Sequence, residues 1–239
     1  MMDKKIIGHV HSLQSLGAVD GPGIRFVVFM QGCNLRCGCC HNPDTWGINS
    51  GTPYTPEEIL EKVVRYKEYF GTLGGITVSG GEPLLHATFV RELFTLCKKS
   101  GINTCLDTSG SILNDEIKAL LAVTDRVLLD IKYTQDEQYK KHVGCSLSTV
   151  LEFLEFLDSK NIPTVLRQVI IPTLNDTEEN ILKLKKIASE YSNIDKIELL
   201  PFRKICEVKY ENMGLDFPFA HIPEPTSEQM ETLTKTLLK

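Results

Sequence analysis

A chain of 239 residues, 42% hydrophobic and 24% charged, can bury a sizeable core and is short enough to fold as one α/β domain. Its net charge of −5 excludes a broad nucleic-acid footprint, since binding phosphates calls for a basic excess. No stretch is apolar for long enough to span a bilayer, and MMDKKIIGHVHSL carries no apolar run with a small-residue cleavage site, so a cytoplasmic location without a membrane partner is expected.

Thiols stay reduced in that compartment, so eight cysteines point to metal binding or catalysis before disulfides. Cys97, Cys105, Cys145 and Cys206 are scattered singly and read as small buried hydrophobes.

In chain order, IRFVVFMQG (24–32) reads as a buried strand. TPEEILEKVVRYKEYF reads as a helix, with Thr55 as N-cap, Pro56 at the first helical position and Glu58 closing a capping box. GITVSGG is a strand, and ATFVRELFTLCKKSG a helix that ends on Lys98, Lys99 and Gly101. INTCLDTSG and RVLLDIK are strands around the helix NDEIKALLAVTD. Helices DEQYKKHV and STVLEFLEFLDSKN precede the strand PTVLRQVII. DTEENILKLKKIASEYS is a helix, KIELLPF a strand, and TSEQMETLTKTLLK a helix with Thr226 and Gln229 as capping box.

Six strand–helix units imply a parallel sheet, either doubly wound and open or a partial barrel, and periodicity does not separate the two. In both, active residues gather at the C-terminal ends of strands. There stand the cysteine loop, SGGEP, DTSG, DIK and PFRK, and one composite site explains that placement better than five unrelated turns.

The loop MQGCNLRCGCCHNPDTW holds Cys33, Cys37, Cys39 and Cys40 within eight positions. A structural zinc site would want a second CxxC-like pair, which is absent. A redox pair would need a helix start in a different βαβ context. The third reading takes Cys33, Cys37 and Cys40, spaced C-x3-C-x2-C, as three thiolates around an iron–sulfur cluster with one iron left open.

GCNLRCGCCHN is similar to the cysteine signature of the radical S-adenosylmethionine (SAM) superfamily. GAVDGPGIRFVVFMQGC resembles the signature of its glycyl-radical-enzyme activases, and HNPDTW, SGGEPLL, CLDTSG, LLDIK, RQVIIP and IELLPF extend the resemblance over about residues 6 to 239. Residues 47 to 75 carry no cysteine, unlike relatives with an inserted ferredoxin-like segment, which favours the type that acts on pyruvate formate-lyase.

The resemblance implies one radical SAM domain over 1–239, folded as a laterally open, partial (β/α)6 TIM-like barrel of parallel strands. It implies a 4Fe-4S cluster on Cys33, Cys37 and Cys40 with SAM at the open iron. The partner is then pyruvate formate-lyase, with flavodoxin or ferredoxin as electron donor and the chain itself a monomer. Cys39, at a position usually aromatic, and His41 would face SAM. Gly80 and Gly81 would let backbone approach it closely, and Glu82 would pair with its ammonium. By themselves SGGEP reads as an ordinary turn and Asp107 as a turn cap. Asp107, Thr108 and Asp130 match a monovalent-cation site in relatives. Lys132 is a cationic partner for these carboxylates, Arg167 would face inward, and Arg203 replaces a family histidine. Two rival readings are a radical SAM enzyme with another glycyl-radical or small-molecule substrate, and a zinc-stabilised binding module.

Overall fold

The computed structural model describes residues 5–238, so the first four residues of the N-terminal stretch lie outside it. The chain divides into two compact units, one made of the stretch up to Asn34 with Thr45–Leu128, the other of Leu35–Asp44 with the chain from Leu129 onward.

The first unit is built on strands β1 (Gly8–Gly17), β2 (Arg25–Met30), β3 (Thr52–Tyr54), β4 (Gly75–Gly80) and β5 (Asn103–Thr108), in the order β3-β1-β2-β4-β5. β2, β4 and β5 pair in parallel, in the register Arg25↔Gly75↔Asn103. They are the continuous apolar runs expected of strands covered on both faces. β1 pairs antiparallel with β2 and β3. Neither β1 nor β3 is in the six-unit expectation: GHVHSLQSLG is no continuous apolar run, and only Gly8, Val10 and Gly17 of it are buried.

Helix α1 (Pro56–Val63) starts on the expected capping box: Glu58 N–H donates to Thr55 Oγ1 at 3.2 Å, and Thr55 N–H to Glu58 Oε2 at 2.7 Å. The α-helix does not reach Phe70 as its sequence suggests. Val64–Tyr69 tightens into a 3-10 helix, which sets Tyr66 against Phe26 at 5.6 Å. Helices α2 (Ala87–Lys99) and α3 (Asp115–Leu121) complete the unit, α2 burying Phe89, Val90, Leu93, Phe94 and Cys97.

Strand β6 (Arg126–Asp130) contains the division between the units. The second unit continues with α4 (Asp136–His142), α5 (Leu147–Ser159), β7 (Thr164–Ile170), α6 (Glu178–Ser189), β8 (Ile194–Pro201), α7 (Glu207–Asn212) and α8 (Ser227–Leu238). β6, β7 and β8 lie in that order, with β7 and β8 parallel. Leu233 of α8 packs on Ile181 and Ile170, and the Thr226–Gln229 capping box forms as expected. α7 was not foreseen, being one short helix within a polar stretch. Each unit is thus an α/β open sheet rather than a closed barrel. Cys97, Cys105 and Cys206 are buried as expected, while Cys145 is half-buried.

One buried charge organises the first unit. Arg25 is fully buried at the start of β2. Its Nε donates to Thr77 Oγ1 at 2.9 Å, Nη1 to Leu73 O at 3.1 Å and Asn103 Oδ1 at 3.0 Å, and Nη2 to Ile76 O at 2.5 Å. A planar fork with five donors suits such a nest, and a lysine ammonium does not. Arg25→Met should therefore lower the unfolding free energy by about 3 kcal/mol or more, because several buried acceptors lose their donors at once. Denaturant titration reads this as a lower midpoint at an unchanged slope.

Candidate functional site

In the first unit the expected residues meet around the turn that follows β4. Gly80 has φ +109°, and a Cβ on it would lie 2.3 Å from Met30 N; one on Gly81 would lie 2.1 Å from Gly32 O. Gly81 N–H donates to Met30 O, and Glu82 N–H to Gly32 O, both at 2.9 Å. The glycines thus bring the turn against the chain's own backbone, where the sequence suggested an approach to ligand. Cys33, half-buried, directly follows that stretch.

Glu82 is 1% exposed and its carboxylate is fully engaged. Oε1 accepts from Thr108 Oγ1 at 2.6 Å and Leu84 N–H at 3.1 Å. Oε2 accepts from Ser109 N–H at 3.0 Å and from the Ser109 hydroxyl. Burial pushes its pKa up against the pull of these donors. Glu82 therefore ties the turn after β4 to the turn after β5, a role not foreseen for it. Asp107 Oδ2 accepts from Ser79 Oγ at 2.8 Å, a contact between strand ends.

The second unit holds the rest of the cysteine loop. Cys40 N–H donates to Cys37 O at 3.1 Å, Gly38 N–H to His142 O at 2.9 Å and Arg36 N–H to Val143 O at 3.1 Å. A Cβ on Gly38 would meet the Phe219 ring at 2.4 Å, so only glycine lets the turn settle there. The resulting turn leaves Cys37 and Cys40 half-buried and buries Cys39. Burial pushes the Cys39 thiol up to about 11, which suits a neutral packing group and not a thiolate ligand. His41 Nε2 donates to Arg203 O at 3.0 Å, and burial holds its pKa below the ordinary histidine value. Lys209 reaches Asn42 Oδ1 at 2.8 Å and Asp44 Oδ1 at 3.0 Å. Nothing in the sequence marked Lys209 for this, because α7 itself was unforeseen.

At the end of β6, Asp130 accepts from Lys132 Nζ at 2.5 Å on Oδ2 and from Arg167 Nε at 3.0 Å on Oδ1. Burial opposes its ionisation, but Arg167 and then Lys132 outweigh that and hold it below the usual carboxylate range. Burial likewise works against the Lys132 ammonium, yet Asp130 above all keeps it well above its ordinary value. Arg167 is buried and serves a carboxylate of the protein, so that two cations meet Asp130 here. Arg203 is half-exposed and pairs with Glu224 at 2.7 Å. Among the described residues, no three His, Cys, Asp or Glu side chains gather as a site for a single metal ion.

A family model described as the radical SAM superfamily matches residues 27–184. The chain is 43% identical over 233 residues to a pyruvate formate-lyase-activating enzyme of Clostridium pasteurianum, covering 97% of this chain and 98% of that one. It is 42% identical over 229 residues to the pyruvate formate-lyase 1-activating enzyme of Escherichia coli, covering 95% and 93%. Among solved structures, a domain of pyruvate-formate lyase-activating enzyme from Bacteroides vulgatus aligns with a TM-score of 0.58 at 20% identity, over 69% of this chain and 93% of that one.

The bonding of Glu82 separates a structural role from a ligand-binding one. Glu82→Ala should cost about 2–4 kcal/mol of stability with no cofactor added, since four donors lose their acceptor in a buried turn. A denaturation midpoint equal to that of the wild type would return Glu82 to the role of ligand contact alone.

Proposed function

Because the chain belongs to the radical SAM superfamily, and within it to the pyruvate formate-lyase-activating enzymes, we propose that it activates pyruvate formate-lyase by taking a hydrogen atom from a backbone glycine of that partner. The observation that carries the proposal is the cysteine turn, which leaves Cys37 and Cys40 half-buried and buries the Cys39 between them. That sorting fits the C-x3-C-x2-C spacing of a three-thiolate cluster and sets Cys39 aside. Cys33, Cys37 and Cys40 would hold a 4Fe-4S cluster, leaving one iron for SAM. When bound and reduced, such a cluster supplies the electron that cleaves SAM to methionine and a 5′-deoxyadenosyl radical.

The chain's own residues prepare that chemistry. Arg36, Gly38 and Cys40 donate backbone N–H groups that hold the turn rigid. Lys132 and Arg167 together make cationic surroundings beside Asp130 that would suit a carboxylate such as that of the SAM methionine. Gly80 and Gly81 hold the turn that carries Glu82, and Glu82 acts through Thr108 and Ser109 rather than through a free carboxylate. His41, whose ring bonds the Arg203 carbonyl, and Arg203 would contact the rest of SAM. The monovalent cation that the resemblance implies at Asp107, Thr108 and Asp130 belongs to the same proposal. An electron donor such as flavodoxin or ferredoxin, action as a monomer and a cytoplasmic setting belong to the same proposal.

Anaerobic reconstitution should load about four irons per chain. Cys33→Ala, Cys37→Ala and Cys40→Ala should each lose most of that iron, while Cys39→Ala keeps it. Reduction with SAM and pyruvate formate-lyase should then give the doublet of a glycyl radical by electron paramagnetic resonance. Iron retained in Cys40→Ala, or SAM cleavage without a radical on the partner, would overturn the proposal.

A further inference from the structure

One peptide unit beside the cysteine turn is bonded at both ends. The Arg203 carbonyl accepts from His41 Nε2 at 3.0 Å, and the N–H of the same peptide, that of Lys204, donates to Glu224 Oε1 at 2.8 Å. The other oxygen of Glu224 accepts from Arg203 Nη1 at 2.7 Å. A peptide is planar, so fixing its N–H fixes the direction in which its carbonyl points. A carboxylate on the N–H also polarises the unit and makes its carbonyl a stronger acceptor. The segment that carries Glu224 is anchored again where Lys204 Nζ donates to Ala220 O and where the Phe219 ring lies against Gly38. It therefore braces the turn at Gly38 and at His41, the residues that flank Cys39 and Cys40 in the chain.

The bond to Arg203 also decides what His41 can offer. A ring nitrogen bonded to a carbonyl must carry the proton, and in a neutral imidazole the other nitrogen is then a bare acceptor. Burial favours the neutral ring. Nδ1 makes no hydrogen bond among the described residues, and it is not sealed inside the protein. His41 directly follows Cys40, so this open acceptor stands on the cysteine turn itself.

We propose that Glu224 is a positioning residue for SAM: through the Arg203–Lys204 peptide it holds His41 in the tautomer and orientation that offer Nδ1 to a hydrogen-bond donor on the adenosyl part of SAM. The inference rests on the cluster and SAM reading proposed above. The donors on that part of the molecule are the adenine amine and the ribose hydroxyls.

The test uses the full chain, reconstituted with iron and sulfide, as wild type, Glu224→Ala and Glu224→Gln, with isotope-labelled histidine rings. Nuclear magnetic resonance with the cluster oxidised, His41 being assigned by its loss in His41→Asn, should show a single Nε2–H tautomer in the wild type and a mixture in Glu224→Ala. Glu224→Gln keeps an oxygen for the Lys204 N–H and should restore the single tautomer. SAM should bind Glu224→Ala about tenfold more weakly, the loss of about one hydrogen bond, at unchanged iron content and denaturation midpoint. A SAM analogue with a dimethylated adenine amine, or one lacking a ribose hydroxyl, should bind wild type and Glu224→Ala alike, and the analogue that does so names the donor. Glu224→Asp, too short to reach both of its donors, carries the test if Glu224→Ala does not fold. An unchanged tautomer, equal SAM affinities, or a loss of affinity that merely follows loss of iron would overturn the role of Glu224 while leaving the cluster reading intact. A wild-type chain that takes up no iron would overturn the cluster and this inference with it.

Discussion

A charge removed from water must be met by partners of the right geometry, or the site does not survive. Three such charges set the framework of the protein. Arg25 spreads its donors over the backbone of the first unit, and Glu82 collects four donors from two neighbouring turns. In the second unit Asp130 is gripped by Lys132 and Arg167. Each charge stands at one end of a strand, where backbone leaving the sheet needs partners anyway. The same bonds therefore satisfy the buried charge and fix the strand-end loops.

Close backbone approach is the second constraint. Gly81 and Gly38 each occupy a place where a Cβ would run into an immovable neighbour, a carbonyl in one case and the Phe219 ring in the other. Tight seating holds the turns without long side chains and leaves the polar side chains free for chemistry. On the cysteine turn it also sorts the thiols, keeping Cys39 in an apolar setting where its proton stays on.

Arg203 shows how a family position can be rebuilt. Its guanidinium bonds Glu224, whose other oxygen accepts from Lys204 N–H, while the Arg203 carbonyl holds His41. The residue does positional work through its backbone whatever its side chain contacts.

Much of this was legible without coordinates. The six apolar runs declared strands, the Thr55–Glu58 and Thr226–Gln229 pairs declared helix starts, and the cysteine spacing pointed to a cluster, because each is a local signal confined to a few residues. The cation pair on Asp130 was half visible, since Lys132 lies two residues away while Arg167 lies on another strand. β1, β3 and α7 were not legible, because an edge strand or a short helix owes its form to what it packs against. Nor was it legible that Glu82 spends its carboxylate on Thr108 and Ser109. The sequence by itself determined the fold class and the family. The tertiary structure decided which polar groups are already committed to one another, because hydrogen-bond partners far apart in the chain are chosen only when folding brings them within 3 Å of each other.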